Sequence, residues 1–262
     1  MKSRGLTIFL IVLLFIIAVG LSGGLAFLLI KGNNFNFSFN IGNSKMEVVD
    51  SLKVNYTDVA KIILNLSSTD IEIKESTDEM ILIEYQSNQD NNGKIEYKDN
   101  IIIIDEEKAN LSCVGFCNSN RKIVLYIPEY YDNEYDLTTT SGDILSNIDF
   151  NKATISSNSG DISLKEVNNI KINTTSGDIK LTNINNAVNI TTISGDILID
   201  KMMIKDNSSI KTTSGDVIIS DNQSVCYIET KTTSGDVSIN NNNRKSDIVL
   251  DIKTTSGDIS VS

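Results

Sequence analysis

The hydrophobic pattern divides the chain into an apolar N-terminal run and a long region in which apolar and polar residues alternate. Residues 6–30 contain no charged side chain. From residue 45 onward, apolar residues recur at every second position in many segments, which is the period of a β-strand with one buried face. The pattern predicts an all-β region, residues 45–262, preceded by a cytoplasmic N-terminus and one transmembrane helix, residues 1–31, and a linker, residues 32–44.

The N-terminal run is long enough to cross a bilayer. As a helix, Leu6–Ile30 would be about 37 Å long at about 1.5 Å per residue. Lys2 and Arg4 precede it without an acidic residue, so the N-terminus is expected in the cytoplasm and the rest of the chain outside. A cleaved signal peptide is the alternative, with small-residue sites at 18–20 and 21–23. The apolar run resumes beyond both sites, which favours a retained anchor.

The tripeptide Ser-Gly-Asp recurs seven times in the second half of the chain. Successive glycines are separated by 18, 17, 18, 20, 20 and 22 residues. A short, nearly constant period is typical of a solenoid, in which each unit buries its apolar face only against its neighbours. The glycines are Gly142, Gly160, Gly177, Gly195, Gly215, Gly235 and Gly257.

Each repeat has the same sequence of positions around the tripeptide. An Ile or Val follows every Asp, and a Ser or Thr lies four residues before it. Apolar residues alternate with polar ones on both sides, as at Leu250 and Ile252 before Gly257 and at Ile259 and Val261 after it. Each unit therefore predicts a strand, a corner, a second strand and a polar return. Stacked units give a parallel β-solenoid of about seven coils, with strands about 4.8 Å apart.

The preceding region, residues 45–128, lacks the tripeptide but is rich in strand patterns. Ser68-Thr69-Asp70-Ile71 resembles a degenerate corner, and Asp99-Asn100 fits a tight hairpin turn. We interpret this region as the N-terminal cap of the solenoid, which itself occupies residues 129–262. The strand candidates of the cap are residues 62–66, 71–74, 80–85, 94–98, 101–104 and 122–127.

Charge and composition exclude several functions. The chain has 34 acidic and 23 basic residues, so its net charge is −11, and it contains no histidine. Nucleic-acid binding needs clustered Lys and Arg, which are absent. Without histidine the chain cannot form a Ser-His-Asp triad, a Cys-His pair or an imidazole metal site. We therefore expect no nucleic-acid partner, no cofactor and no enzymatic activity.

The repeats and the segment before them resemble a known family. Residues 123–128, Ile-Val-Leu-Tyr-Ile-Pro, are followed by Leu-Thr-Thr-Thr-Ser-Gly-Asp-Ile at residues 137–144 and then by its repetitions. This arrangement resembles the bacterial putative-adhesin family, also called toastrack domains, over roughly residues 50–262. The resemblance implies a membrane-tethered or secreted β-strand repeat protein, in some cases associated with envelope stress responses. It implies no catalytic residues.

The aspartates of the tripeptides are expected to form a column along one corner. In the structural interpretation, each carboxylate accepts hydrogen bonds at its own corner. In the functional interpretation, the column binds Ca²⁺, which prefers carboxylate and carbonyl oxygens. Calcium-binding β-rolls have Asp two residues after a Gly, whereas here it follows the Gly directly. The calcium candidates are Asp143, Asp161, Asp178, Asp196, Asp216, Asp236 and Asp258.

The cysteines suggest one covalent link. Cys113 and Cys117 lie four residues apart in a loop between strands, and outside the cytoplasm a disulfide between them would close that loop. Two free thiols are the alternative. Cys226 lies on an inward parity and is expected to be a small core residue.

Four tyrosines cluster where the repeats begin. Tyr135 shares the inward parity of Leu137, whereas Tyr126 lies on the solvent parity. We expect the cluster to cap the core; contact with a glycan or a protein is the alternative. The remaining members are Tyr130 and Tyr131.

These features predict a non-enzymatic, membrane-anchored surface protein that acts as an adhesin-like or envelope-stress scaffold or sensor. A Ca²⁺-binding or polysaccharide-active β-helix module is the alternative. The strand 259–261 ends one residue before Ser262. We therefore expect the C-terminal coil to present an open sheet edge, through which the protein would contact an envelope partner or a second copy.

Overall fold

A computed structural model describes residues 45–88, 93–106 and 120–262 of the 262-residue chain. This described part is all-β; its single helical element is a 3₁₀ turn, Tyr56–Asp58. It contains no helix with the length and hydropathy needed to cross a bilayer. The predicted transmembrane segment, residues 6–30, lies outside the described residues.

Eight strands lie before the first Ser-Gly-Asp tripeptide. The predicted hairpin at Asp99-Asn100 is confirmed: both residues have positive φ angles, 53° and 62°, and the flanking strands pair antiparallel. The strands are β1 (Glu47–Asn55), β2 (Lys61–Asn65), β3 (Asp70–Ser76), β4 (Met80–Ser87), β5 (Gly93–Lys98), β6 (Ile101–Glu106), β7 (Arg121–Pro128) and β8 (Glu134–Thr139).

Ten further strands follow the first tripeptide. Three of them are 12 to 14 residues long and turn from one face of the solenoid to the next. The turns coincide with register shifts, because an extra residue kinks a strand. The strands are β9 (Ile144–Ser157), β10 (Ile162–Asn173), β11 (Ile179–Thr191), β12 (Ile197–Met202), β13 (Ser208–Lys211), β14 (Val217–Ile219), β15 (Tyr227–Lys231), β16 (Val237–Ile239), β17 (Val249–Lys253) and β18 (Ile259–Val261).

The strands form two runs that share the long strands β9, β10 and β11. Strands that precede the corners lie in the order β5-β6-β2-β8-β9-β10-β11-β13-β17-β15. Strands that follow the corners lie in the order β1-β4-β7-β3-β9-β10-β11-β12-β14-β18-β16. All pairs are parallel except those of β1 with β4, β4 with β7 and β5 with β6.

Inward side chains from both runs form one hydrophobic core. In each coil the residue after the corner aspartate lies directly beside its counterpart in the next coil, as Ile162 lies beside Ile144 and Ile179. These three isoleucines are almost fully buried. The alternation seen in the sequence therefore reports the inward face correctly over β9 to β14.

The order of coils in space differs from their order in sequence at the distal end. The prediction that the C-terminal coil forms the open edge is wrong. Strand β17 lies between β13 and β15, and β18 lies between β14 and β16. The coil that carries Gly235 is therefore the outermost one, and β15 and β16, which we call the tip edge, have no further strand beside them among the described residues.

Side-chain polarity explains this exchange. The C-terminal coil directs four large apolar residues inward, and all are at most 1% exposed. At the equivalent positions the outer coil has Ile228, Thr230, Val237 and Ile239, and of these Val237 remains 44% exposed. Placing the more apolar coil between two others buries more hydrocarbon and leaves the polar Thr230 near solvent.

A similar exchange occurs at the proximal end. Strands β2 and β3 come before β6 and β7 in the sequence, but β2 lies between β6 and β8, and β3 lies between β7 and β9. The antiparallel strands β4 and β5 then cover β7 and β6. The outermost strands at the proximal end, β1 and β5, are thus antiparallel to their neighbours β4 and β6, whereas the strands of the tip edge are parallel to theirs.

Two matched Val-to-Ala substitutions test the coil order. Val261 in β18 is 1% exposed, and Val237 in β16 is 44% exposed. We expect Val261→Ala to lower the free energy of unfolding by about 2 kcal/mol, from lost burial plus the cavity, and Val237→Ala by less than about 1 kcal/mol. Urea denaturation measures both. If Val237→Ala were the more destabilising change, the order with β18 inside would be wrong.

Candidate functional site

The corners stack directly on one another and form a continuous column. Successive corner serines form parallel bridges, as Ser176 does with Ser159 and Ser194. Gly195 has a φ angle of 131°, and a Cβ at this position would clash with the carbonyl oxygen of Gly177 in the preceding coil. The corner therefore needs glycine both for its backbone conformation and for the close approach of the next coil.

The corner aspartates form a hydrogen-bonded column, which we call the aspartate ladder. The carboxylate Oδ1 of each aspartate accepts the backbone N–H of the aspartate in the next coil, at 2.9 Å from Asp178 N to Asp161 Oδ1 and from Asp196 N to Asp178 Oδ1. In spatial order the ladder comprises Asp70, Asp143, Asp161, Asp178, Asp196, Asp216, Asp258 and Asp236.

A second bond runs the opposite way at each step. The backbone N–H after each aspartate donates to the aspartate carbonyl of the next coil, as Ile179 N does to Asp196 O at 2.9 Å. Each pair of coils is thus joined at the corner by two reciprocal hydrogen bonds. The sequence suggested that each carboxylate accepts hydrogen bonds within its own corner. In the structure the carboxylate accepts one from the next coil instead, because parallel stacking points the corner N–H along the column.

The inward Thr of the corner also serves the column. Thr192 Oγ1 donates to the carbonyl of Ser194 in its own corner, whereas Thr254 Oγ1 donates to the carbonyl of Gly215 in the next coil. These two patterns satisfy carbonyl groups that the strands do not pair. The corner is therefore a structural joint whose polar groups bond mainly to one another.

The described residues contain no group of three acidic or cysteine side chains that would hold a metal ion. The ladder spaces its carboxylates one per coil, and each one before the terminal Asp236 already accepts a backbone N–H. Ca²⁺ takes six to eight oxygen ligands at about 2.3–2.6 Å. The ladder geometry matches the structural interpretation of the aspartates better than it matches a calcium site.

Comparison with known families decides the affiliation of the chain. The family model Toastrack DUF4097 matches residues 59–262, which covers β2 to β18 and the whole ladder. The chain belongs to the toastrack family. The resemblance seen in the sequence is therefore confirmed, and its extent is close to the predicted one.

Solved structures share the toastrack fold at low sequence identity. A putative lipid binding protein from Parabacteroides distasonis superposes with a TM-score of 0.54 at 16% identity, over 84% of this chain and 98% of that chain. A putative adhesin from Bacteroides fragilis gives a TM-score of 0.51 at 14% identity, over 84% and 98%. No curated protein matches the sequence. These likenesses establish the fold alone.

A buried ion pair lies at the proximal end of the ladder. Arg121 Nη1 donates to Glu106 Oε1, and both side chains are less than a tenth exposed. The other carboxylate oxygen of Glu106 accepts Ser67 N and Ser68 N at 2.6 and 3.2 Å. Glu106 therefore fixes the backbone at the start of the degenerate first corner. This pair was not predicted from the sequence, although an acid and a base both occupy inward positions at the adjoining ends of β6 and β7.

The same corner borders a cavity of about 380 Å³. Its cationic residues are matched by acids, since Arg121 pairs with Glu106 and Lys122 pairs with Glu72. Burial alone would raise the pKa of Glu72, but hydrogen bonds from Lys122 and Lys74 hold it below its usual value. The cavity is lined by Met46, Ser68, Asp70, Asn120, Arg121 and Lys122. Both cationic residues of the cavity thus have a carboxylate partner.

The tyrosine cluster divides between core and surface. Tyr131 and Tyr135 are buried and stack edge-to-face, with ring centroids 5.5 Å apart, and Tyr135 packs in the same way on Phe150 at 4.7 Å. Burial raises the pKa of both phenols. Tyr126 is partly buried, and Tyr130 is 72% exposed. Core packing is confirmed for the two inner rings, and the surface position of Tyr130 is left available for contacts.

The cysteine predictions meet different outcomes. Cys226 is fully buried as a free thiol, in agreement with its predicted role as a core residue. Burial raises its pKa. Cys113 and Cys117 lie outside the described residues, and their disulfide stays a prediction.

Two substitutions at Asp196 test the ladder. Asp196→Ala removes the acceptor of the Asp216 N–H, at 2.9 Å, and we expect the free energy of unfolding to fall by about 1 kcal/mol or more. Asp196→Asn keeps an oxygen at the same place and should lose less than half as much. Thermal unfolding compares them. Equal losses in both variants would mean that the negative charge, not the hydrogen bond, is what matters.

A calcium titration tests the functional interpretation of the column. We expect Ca²⁺ up to about 1 mM, the range of weak extracellular modules, to leave the unfolding temperature of the chain unchanged. A rise in that temperature that disappears in Asp178→Asn would contradict the structural interpretation and place Ca²⁺ on the ladder.

Proposed function

We propose that this toastrack protein is a non-enzymatic, membrane-anchored surface protein that binds macromolecules outside the cytoplasm in the manner of an adhesin. The anchor is residues 6–30, which are uncharged and preceded by Lys2 and Arg4. The orientation follows from those two positive charges. The region after residue 45 is then displayed outside the cell.

One observation supports the proposal: the stack ends distally in two parallel strands with an exposed apolar side chain. Among the described residues β15 and β16 each pair on one side only, and Val237 is 44% exposed. An unpaired strand edge with exposed apolar side chains binds extended chain segments rather than small substrates.

The polar surface supports a binding role over a catalytic one. The ladder uses its carboxylates to join coils. The cavity at the first corner has its cations paired with Glu106 and Glu72. The corners thus lack the pair of free carboxylates that glycoside cleavage requires.

Surface labelling of intact cells tests the anchor and the orientation. Ser260 is an outward-facing residue of β18, and a Cys there is expected to react with a membrane-impermeant maleimide in intact cells. Cys226 serves as the internal control, because it is buried and should react only after denaturation. The parent chain, which keeps Cys113 and Cys117, gives the background. Labelling of Ser260→Cys only after lysis would overturn the proposed location.

Substitutions in the apolar run complete this test. Replacing Leu13 and Leu14 by Lys is expected to remove the protein from the membrane fraction, because two charges at the centre of a span cost about 2.5–3.5 kcal/mol each. Persistence of the variant in the membrane fraction would mean that something other than residues 6–30 holds it there.

A further inference from the structure

The two strands of the tip edge, β15 and β16, differ in whether their outward backbone groups have hydrogen-bond partners. Alternate residues of a strand direct their backbone groups to opposite sides. Ile259 N donates to Asp236 O, and Asn240 N donates to Val261 O. The backbone groups of Ser238 therefore face β18, whereas those of Val237 and Ile239 point away from the solenoid. No residue in the described part of the chain bonds to these outward groups.

The neighbouring strand β15 is protected at the equivalent place. The side chain of Asn242 accepts from Ile228 N at 3.0 Å and donates to Ile228 O at 2.8 Å. This amide bonds to the backbone of β15 as a further strand would, so it blocks that part of the edge. Natural sheets commonly protect their edges against pairing with other chains. Strand β16 has no such protection among the described residues, which makes it the open half of the tip edge.

The sequence of β16 and its flanks is complementary to itself in an antiparallel pair. Residues 236–240 read Asp-Val-Ser-Ile-Asn. In a two-fold pair centred on Ser238, Val237 lies opposite Ile239 of the second copy, and both are inward-facing apolar residues. Asp236 lies opposite Asn240 of the second copy, so a carboxylate acceptor meets an amide donor. A pair centred on Val237 would instead place Ile239 opposite Gly235, and one centred on Ile239 would place Val237 opposite Asn241. Each of these registers matches fewer apolar side chains across the axis.

We propose that β16 pairs with β16 of a second copy of this chain, in the antiparallel register centred on Ser238. The outward backbone groups of Val237 and Ile239 are then paired across the two-fold axis, and the exposed face of Val237 is covered. Because the axis is perpendicular to the column, the two solenoids point in opposite directions. If the anchor of the proposed function is correct, the contact joins copies on two facing membranes.

Disulfide trapping tests the register. In this pair the two Ser238 residues are directly opposite at a non-hydrogen-bonded site, about 4.5 Å apart at Cα, which is within disulfide range. Ser260 lies beside Ser238 on β18, and its two copies are about 14 Å apart. In the full chain under mild oxidation, we expect Ser238→Cys to form a dimer linked 238 to 238 by peptide mapping, and Ser260→Cys to form none. No 238–238 link, or equal linkage of both variants, would overturn the proposal.

A second pair of variants tests the contact without new thiols. Val237 and Ile218 are 44% and 42% exposed, but Ile218 is on the outer face of β14, away from the tip edge. Both side chains are nearly half exposed in the single copy, so both substitutions to Lys should leave the chain folded, and thermal unfolding of each variant checks this. We expect Val237→Lys to reduce dimerisation of the detergent-solubilised full chain at least tenfold and Ile218→Lys to leave it unchanged, by analytical ultracentrifugation. Equal dimerisation in the two variants would overturn the proposal.

Vesicles separate this inference from the proposed function. Two populations that carry the full chain are expected to cluster, and Val237→Lys should abolish the clustering. Dimers in detergent without clustering of vesicles would keep the strand pairing and overturn the contact between facing membranes. Labelling of Ser260→Cys in intact cells, combined with failure of Ser238→Cys to crosslink, would keep the proposed function and overturn the strand pairing.

Discussion

The structure depends on the close approach of one corner to the next. Strands of neighbouring coils can pair along their whole length only if the corners also stack at strand spacing, about 4.8 Å. A side chain at the glycine position would prevent this approach, and the aspartate carboxylate after it bonds to the coil beyond. The tripeptide is therefore a joint between coils, and its recurrence in the sequence follows from the need to repeat that joint.

The local character of this joint explains why strands and corners could be predicted from the sequence, whereas the order of the coils in space could not. Alternation and the tripeptide identify strands, corners and inward positions residue by residue, as for Thr192, Ile197 and Ile199, because each follows from local geometry. Coil order depends instead on how much hydrocarbon each coil buries when it lies inside. The Thr230 that occupies an apolar position of the outer coil was visible in the sequence, but only a comparison between coils gives it meaning.

The polar residues likewise divide into those that could be predicted from the sequence and those that could not. The aspartate column could be predicted because its members share one position in the repeat, but the acceptor role between coils could not, because it requires knowing where the neighbouring N–H points. Glu106, Arg121 and Asn242 were missed for a different reason. Each acts once, at an end of the stack, where the repeat gives no second example to compare with. Inward parity of both charges in β6 and β7 was the one available signal.

The exchanged order of the last two coils constrains how the chain assembles. The segment that contains Gly235 leaves the ribosome before the segment that contains Gly257, yet its neighbour in the finished stack is the later one. The finished stack therefore cannot result from adding coils one at a time in sequence order. The coil of Gly235 has its neighbour in place only once the last residues of the described chain, β17 and β18, are available.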